Sequence, residues 1–550
     1  MKAILKIISP MSKVFLDAEP DTCSEDESFE GFENELISFQ AAYSLTEMQS
    51  ISVFVRLRVV SPISSFIRVR RVLHVPVHFA VPEDADDDYL RKKPGLFPDL
   101  LRDLSDTRLR GVLHQWHSVW LDVEDAPAGE HQVMLELLDD DNVLCSGMVK
   151  VCVLTGQLPQ LITRHSKWFH GDGLARYYHI AMWSEGYWQI CERFLLHAVK
   201  RGINTTLVPV HTPPLDTRLG GERTTCQLAI ISLSQDVYHF DFSRLRRYIA
   251  MCQRCGMQYY EMPHLFTQWG ALHAPKIEVL LEGCATNLFG WHTDALDEAY
   301  GAFLASYLTA LTQELRDIGI AERVYFHISD EPDRMHIPTY LSAKRLVSPY
   351  LIGFKILDAL SDPEIYLQDK DVIPVPASDW IKPFLSMPLH ERWVYYCCGQ
   401  YKNVSNLFIA MPSHRNRILG VQLYVNRMQG FLHWGYNFYN SQFSDYGIDP
   451  YACTDGDFFA PAGDPFQVYP GIGGFPEDSI RIMISQKAFE DLRALQWLET
   501  LKGREFVMNL IHKTAGLTPS AFDVYPRDPV FLPLLRKRIN RCITQNESDE

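Results

Sequence analysis

The sequence has no run of 18 apolar residues, the length a helix needs to cross a bilayer, so membrane insertion is not expected. Its opening stretch, Met1-Lys2-Ala3-Ile4-Leu5-Lys6-Ile7-Ile8-Ser9-Pro10, is too short and too interrupted to form the apolar core of a signal peptide. Basic charge is in deficit. Against 68 Asp and Glu there are 52 Lys and Arg, a formal net charge of −16, which argues against a nucleic-acid partner. The 12 cysteines are scattered without the density of a secreted disulfide scaffold, and a reducing, cytoplasmic setting is the simpler expectation. Cys252-x-x-Cys255 has no second pair to complete a zinc site. No glycine-rich phosphate loop follows any apolar run, which weakens nucleotide-binding readings. His170, His211, His264, His327 and His433 lie too far apart in sequence for a metal-binding H-x-x-x-H pair, so neither metal nor other cofactor is expected.

What is present is a large globular chain. With 550 residues, 47% of them hydrophobic, two or three domains are expected. Eleven Trp and 25 Tyr are many; most serve as core, but rings in clefts stack well on the apolar faces of sugars. Residues 1–156 alternate with period two, as in Ile51, Val53, Val55, Leu57 and Val59, and again at Val119, Leu121, Val123 and at Val133, Leu135, Leu137. That pattern predicts an antiparallel β-sandwich. The acidic segment from Asp17 to Glu35 reads as a solvated loop, and Gln157-Leu158-Pro159-Gln160 as a linker.

From residue 161 short apolar runs alternate with amphipathic helices, the signature of repeated βα units. Eight strands are predicted near 163–169, 204–210, 257–264, 323–329, 351–357, 372–377, 392–398 and 430–436. The helix before the fourth carries Tyr300, Phe303, Leu304, Tyr307, Leu308, Leu311 and Leu315 on one face, with Gly319 placed to end it. Tyr187, Ile190, Cys191, Phe194 and Ala198 repeat the scheme before Gly202. The fold class is therefore α/β: a (β/α)8 barrel over 161–505, with an open doubly wound sheet as the alternative. A helical tail over 506–550 packs on it, and Asn546 to Glu550 are expected to be disordered.

The segment His327-Ile328-Ser329-Asp330-Glu331-Pro332-Asp333 follows the apolar run Val324-Tyr325-Phe326. In a barrel it sits at the C-terminal mouth, where adjacent carboxylates can divide labour as charge stabiliser and general acid. Asp-Glu-Pro is also a common helix-start composition. The other strand ends would gather His170 and Asp172, His211, His264 with Gln268 and Trp269, Asp358, Tyr395 and Tyr396, and the run His433-Trp434-Gly435-Tyr436-Asn437. Such a cup of rings, amides and carboxylates suits a sugar. Neighbours on a strand point to opposite sides, so one of Tyr395 and Tyr396 faces the lumen, and the sequence leaves open which.

Ordered blocks across about 160–505 resemble glycoside hydrolase family 123. They are Trp168 to Asp172, His211 to Thr217 with Gly220 to Arg223, His264 to Ala271, His327 to Pro332, Trp393 to Cys398, Gly430 to Asn437, and Gly463 to Phe466 continuing through Tyr469-Pro470 to Ser479-Ile480-Arg481. The N-terminal sandwich resembles the family's accessory domain. The resemblance implies a retaining β-N-acetylgalactosaminidase in which the substrate's acetamido oxygen is the nucleophile, passing through an oxazoline. It further implies that Asp330 holds the acetamido N–H and that Glu331 protonates the leaving oxygen and later activates water. By analogy Tyr395 or Tyr396 bonds the acetamido carbonyl, Trp434 walls the pocket and His327 orients the pair. Asp464, Asn437 or His170 would meet the 4-hydroxyl. The implied partner is a glycan or glycolipid-derived oligosaccharide ending in β-linked N-acetylgalactosamine. A non-catalytic sugar-binding protein, an endo-acting enzyme or another β-hexosaminidase are the alternatives.

Overall fold

The computed structural model describes residues 1–22, 28–48, 50–104, 106–517 and 519–545. The expectation for Asn546 to Glu550 lies outside the described residues.

The alternating N-terminal segments form two packed sheets. One runs in the order Lys2–Ile8, Ile37–Glu47, Trp116–Val123, Ile67–Val77, Gly95–Asp103, and the other Ser28–Phe32, Asn142–Leu154, Gly129–Asp139, Ser52–Val60, Arg108–Val112. Every second residue turns inward because the strand repeat is two. Val55 and Leu57 are buried with Val119, Leu121, Val133, Leu135 and Leu137, whereas Ile51 precedes its strand and is 80% exposed. One pair is parallel, Ser28–Phe32 against Asn142–Leu154.

That strand corrects the reading of Asp17 to Glu35 as a solvated loop. Glu35 is buried, accepts the Phe32 amide at 2.8 Å, and pairs with Arg536 from the distant C-terminal helix Phe531–Thr544. A buried carboxylate needs such a partner, and the basic run that supplies it lies 501 residues away.

The eight predicted barrel strands all form, in parallel, at Arg164–Lys167, Thr205–Leu207, Tyr259–Glu261, Val324–Phe326, Lys355–Asp358, Val372–Pro374, Trp393–Tyr395 and Gly430–His433. The first pairs with the eighth. The sixth and seventh meet through the single bridge of Ala377 to Tyr395, so the barrel is nearly closed. The helix Glu298–Asp317 buries the expected face, is capped by Asp297 Oδ1 on the Ala299 and Tyr300 amides, and is followed by Gly319 at φ +73°. Glu185–Lys200 is capped by Ser184 and followed by Gly202 at φ +80°. Several other connections lack a full helix. A four-stranded sheet, Val237–Asp241, Ile230–Ser234, Ile277–Leu281 and Cys284–Phe289, is inserted around the third strand instead.

The two parts interlock. Val468–Pro470 and Pro476–Ser479 leave the barrel segment and extend the sandwich sheet, Asp478 and Ser479 pairing with Leu101 and Leu100. Asp478, fully enclosed, takes Arg70 from the sandwich together with His197 and Arg201 from a barrel helix. Arg481 makes a two-pronged pair with Asp99, at 3.0 and 2.9 Å. Helices Ile480–Lys502, Arg504–Ala515 and Phe531–Thr544 share one apolar cluster with Phe431 of the eighth strand, which fixes the side of the barrel beneath the site.

Candidate active site

Asp330 and Glu331 stand where a βα barrel places its chemistry, just beyond the fourth strand. Main-chain bonds continue past the strand ends: the Leu265 and Phe266 amides donate to the carbonyls of His327 and Ile328, and the Trp269 amide donates to that of Asp330 at 2.9 Å. Ser329 Oγ ties the same turn to the Thr267 carbonyl. This ladder holds Glu331 at φ +44° and Trp269 at φ +57°, left-handed conformations that cost a non-glycine residue about 1–3 kcal/mol. Pro332 then ends the strand geometry.

The two carboxyls differ in surroundings. Glu331 is open to solvent on one edge, and Tyr395 Oη donates to its Oε1 at 2.5 Å. Confinement by the cup walls raises its pKa, and the tyrosine bond opposes that rise. Asp330 lies deeper. Burial, followed by the charges of Glu331 and Asp216, pushes its pKa well above the usual carboxylate range. Both carboxyls are thus displaced toward the protonated form, Asp330 by burial and the neighbouring negative charges and Glu331 by burial.

Beneath them is a charged floor invisible as a motif. His327 Nε2 meets Glu261 Oε2 at 3.0 Å, and its Nδ1 lies 3.5 Å from Asp358 Oδ1. Burial disfavours its charge, but Asp358 and Glu261 outweigh that and raise it to about 9. Glu261 also accepts the Trp168 indole N–H at 2.7 Å, and Asp358 accepts Tyr340 Oη at 2.7 Å and the Ile328 amide at 2.9 Å. His264 stacks on His327 with centroids 4.4 Å apart. Burial and then the His327 charge hold His264 neutral, and its Nε2 is 3.9 Å from Asp330 Oδ1. His264, His327 and Asp358 place ligand atoms within 4.8 Å of one another, the one such trio among the described residues. The His327–Asp358 and His327–Glu261 pairs, with His264 stacked on His327, support the Asp330 turn from below.

A pocket of about 150 Å³ opens above this floor, walled by Trp168, Asp216, Gln268, Asp330, Glu331, Tyr395, Cys397 and Trp434 among others. That is small beside the roughly 300–1,000 Å³ of ordinary ligand sites, and suits one sugar ring. Tyr395 therefore faces the lumen. Tyr396 points outward and packs on Phe431 and His433.

Several expected contacts turn out to be engaged elsewhere. His170 Nε2 is taken by the Trp434 carbonyl at 2.8 Å and Nδ1 by Arg223 at 3.1 Å, and burial pushes its pKa down to about 4. Asp172 is clamped by Arg223 at 2.8 and 3.0 Å. Asn437 closes on the His170 main chain in both directions. Asp464, fully buried, receives the Trp434 indole at 2.8 Å and His433 at 3.2 Å. These four brace the wall that carries Trp434, whereas Asp330, Glu331, Tyr395 and Trp434 line the pocket and His264 lies beneath Asp330. His211 is likewise spent, on Tyr307 Oη and the His264 carbonyl.

Asp216 was missed as a site residue. It sits at φ +51° in the pocket wall, where burial, with the charges of Glu331 and Asp464 against that of Arg223, lifts it to about 6. Its only sequence signal was a place in the His211–Thr217 block. Glu261 was missed because it ends an apolar strand with no neighbouring motif.

A barrel with a carboxyl pair at its fourth strand end and an aromatic pocket of one-ring size defines a glycoside-cleaving class of protein. The chain belongs to glycoside hydrolase family 123: the model of that family's catalytic domain matches residues 168–498. No curated protein sequence matches it. In structure it is similar to a family 123 glycoside hydrolase from Clostridium perfringens, studied for glycolipid glycan hydrolysis, with TM-score 0.73, 15% identity, and coverage of 99% of this chain and 98% of that one. A family 39 glycoside hydrolase from Bacteroides cellulosilyticus WH2 is similar over 88% of this chain and 83% of its own, at 9% identity and TM-score 0.34.

Proposed function

We propose that this glycoside hydrolase releases terminal β-linked N-acetylgalactosamine with retention, the acetamido group of the substrate serving as nucleophile. The observation that carries the reading is the unequal adjacent pair: a deep Asp330 facing the one-ring pocket, and a Glu331 at its open edge bonded to Tyr395. Family membership and the glycolipid glycans named for the Clostridium perfringens enzyme support the substrate class.

In the first step the acetamido oxygen attacks the anomeric carbon as the bond to the leaving oxygen breaks, and Glu331 gives that oxygen its proton. Asp330 holds the acetamido N–H as positive charge develops, giving an oxazolinium ion paired with the Asp330 carboxylate, or a neutral oxazoline where Asp330 takes the N–H proton. Water, deprotonated by Glu331, then adds to the same carbon as the bond from that carbon to the acetamido oxygen breaks, which restores the acetamide and returns the proton to Glu331. Burial raises the pKa of both carboxyls, and the negative charges of Glu331 and Asp216 raise that of Asp330 further. An N–H donor and a developing cation at Asp330 favour its ionised form, while Glu331 carries the proton that the leaving oxygen needs. A reducing, cytoplasmic setting belongs to the same proposal, supported by cysteines that are scattered without the density of a disulfide scaffold.

The test is release of 4-nitrophenol from its β-N-acetylgalactosaminide and β-N-acetylglucosaminide, with Asp330→Asn and Glu331→Gln alongside. Galacto turnover lost in both variants supports the reading. No turnover of either glycoside across a broad pH range, with binding of the sugar retained, would instead identify a lectin-like protein on a hydrolase fold.

A further inference from the structure

The seventh strand, Trp393–Tyr395, is followed by two adjacent cysteines, Cys397 and Cys398, and both line the one-ring pocket beside Glu331 and Tyr395. Strand alternation would put them on opposite sides, but the strand has ended by then. The Gln400 amide closes a turn on the Cys397 carbonyl at 3.1 Å, and Asn406 Nδ2 holds the same carbonyl at 2.8 Å. Gln400 Oε1 accepts the Cys397 amide at 2.9 Å and its thiol at 3.3 Å. This turn sets the two thiols in hydrogen-bond contact with each other. Both are half-buried, whereas Cys252 and Cys255, the other pair within three positions among the described residues, are buried. Neither Cys397 nor Cys398 has a part in the proposed hydrolysis.

We propose that Cys397 and Cys398 form a dithiol site for trivalent arsenic, delivered as an organic arsenoxide, and that the bound arsenical blocks the pocket. The blocking role rests on the reading of that pocket as the sugar site.

The arrangement favours this ligand over the others that thiols take. Zinc is held by at least three protein ligands. The one trio of candidate ligand atoms within 4.8 Å of one another among the described residues is His264, His327 and Asp358, so no third ligand stands with the two sulfurs. A disulfide prefers Cα atoms about 4.4–6.8 Å apart, and chain neighbours across a trans peptide are about 3.8 Å apart, so a bond between these two would be strained and readily reduced. One atom placed between the sulfurs enlarges the ring and relieves that strain. Electrophiles that need a thiolate are also disfavoured. The bond with Cys398, then burial and the negative charges of Cys398, Glu331 and Asp464, hold the Cys397 thiol in its protonated form. An arsenoxide takes that proton away. Two S–H bonds and the arsenic–oxygen double bond break, two As–S bonds form, and both protons leave with the oxygen as one water. Arsenic stays trivalent, so no oxidant or reductant is required. The organic group would lie against Trp168, Leu215, Leu432 and Phe459, the apolar part of the wall.

The experiment adds phenylarsine oxide to the folded wild type, Cys397→Ser and Cys398→Ser, and reads intact mass. A single wild-type adduct is expected, mapped by trypsin to residues 393–402 and removed by a dithiol but not by the same concentration of a monothiol. Because the second As–S bond forms within one molecule, each variant should need about a hundredfold more arsenical for equal occupancy. Occupancy in either variant equal to that of wild type, or a wild type unmodified in that peptide, would overturn the proposal. Hydrolysis of the 4-nitrophenyl glycoside should fall in proportion to the adduct, and a full adduct with an unchanged rate overturns the blocking role. An adduct at residues 393–402 on a protein that cleaves no glycoside leaves the dithiol site standing and fails the catalytic reading instead.

Discussion

Replacing Tyr395 by Phe removes one hydrogen bond, the 2.5 Å donation from Oη to Glu331 Oε1, and leaves the ring in the pocket wall. A hydrogen bond to a charged group is worth about 1.5–3 kcal/mol when protected from water. Glu331 has an open edge, so solvent screening reduces this to about 1 kcal/mol. The tyrosine favours the ionised carboxylate and thus lowers the Glu331 pKa. Its loss therefore raises that pKa. Because the first step needs protonated Glu331, activity falls as pH rises through its pKa. The alkaline limb of kcat/KM against pH should therefore move upward in Tyr395→Phe, while the limb itself reports the Asp330–Glu331 pair together. The assay is the full pH profile on an aryl glycoside, with circular dichroism to confirm folding. A limb that stays in place or moves down refutes the reasoning, and a pH-independent loss of kcat would assign the hydroxyl to the acetamido carbonyl instead.

Three further outcomes follow from the same geometry. His327→Leu leaves Glu261 and Asp358 buried without their cation and should cost about 3–5 kcal/mol in denaturant unfolding. In the wild type, His327 is raised from 6.5 to about 9, so its stabilisation is complete below pH 6.5 and fades as pH rises through 9; a thermal midpoint flat across that window in the wild type would contradict this. Asp172→Ala should lose a similar amount by stranding Arg223, with KM for small aryl glycosides little changed if Asp172 only braces the wall. Asp216→Asn removes a carboxyl raised from 3.8 to about 6, a group whose folded form is favoured below pH 3.8 and penalised as pH rises through 6. The variant should be more stable at pH 7, by at most about 3 kcal/mol, and no more stable at pH 3.5, yet less active, which would mark Asp216 as kept for the site.

The sequence by itself determined the period of every major element. Alternation in 1–156 pointed to sheets, and eight apolar runs pointed to a parallel sheet, because side-chain direction repeats every two residues in strands and every 3.6 in helices; whether that sheet closed into a barrel or stayed open was left to the tertiary structure. It also placed Asp330 and Glu331 at a strand end, since Pro332 stops the strand after them. It did not determine which polar residues are free to meet a ligand. His170, Asp172, Asn437 and Asp464 have the right chemistry and position, yet each is satisfied by a partner that only folding brings near: Arg223 for His170 and Asp172, the His170 main chain for Asn437, and Trp434 and His433 for Asp464. Alternation said that Tyr395 and Tyr396 face opposite ways, and the barrel's closure at Ala377 chose which one looks inward. Likewise no local pattern marks Val468–Pro470 and Pro476–Ser479 as sandwich strands, or pairs Glu35 with Arg536. Burial makes an unpaired charge or an open main chain costly, and the partner that removes the cost is set by the three-dimensional path of the chain.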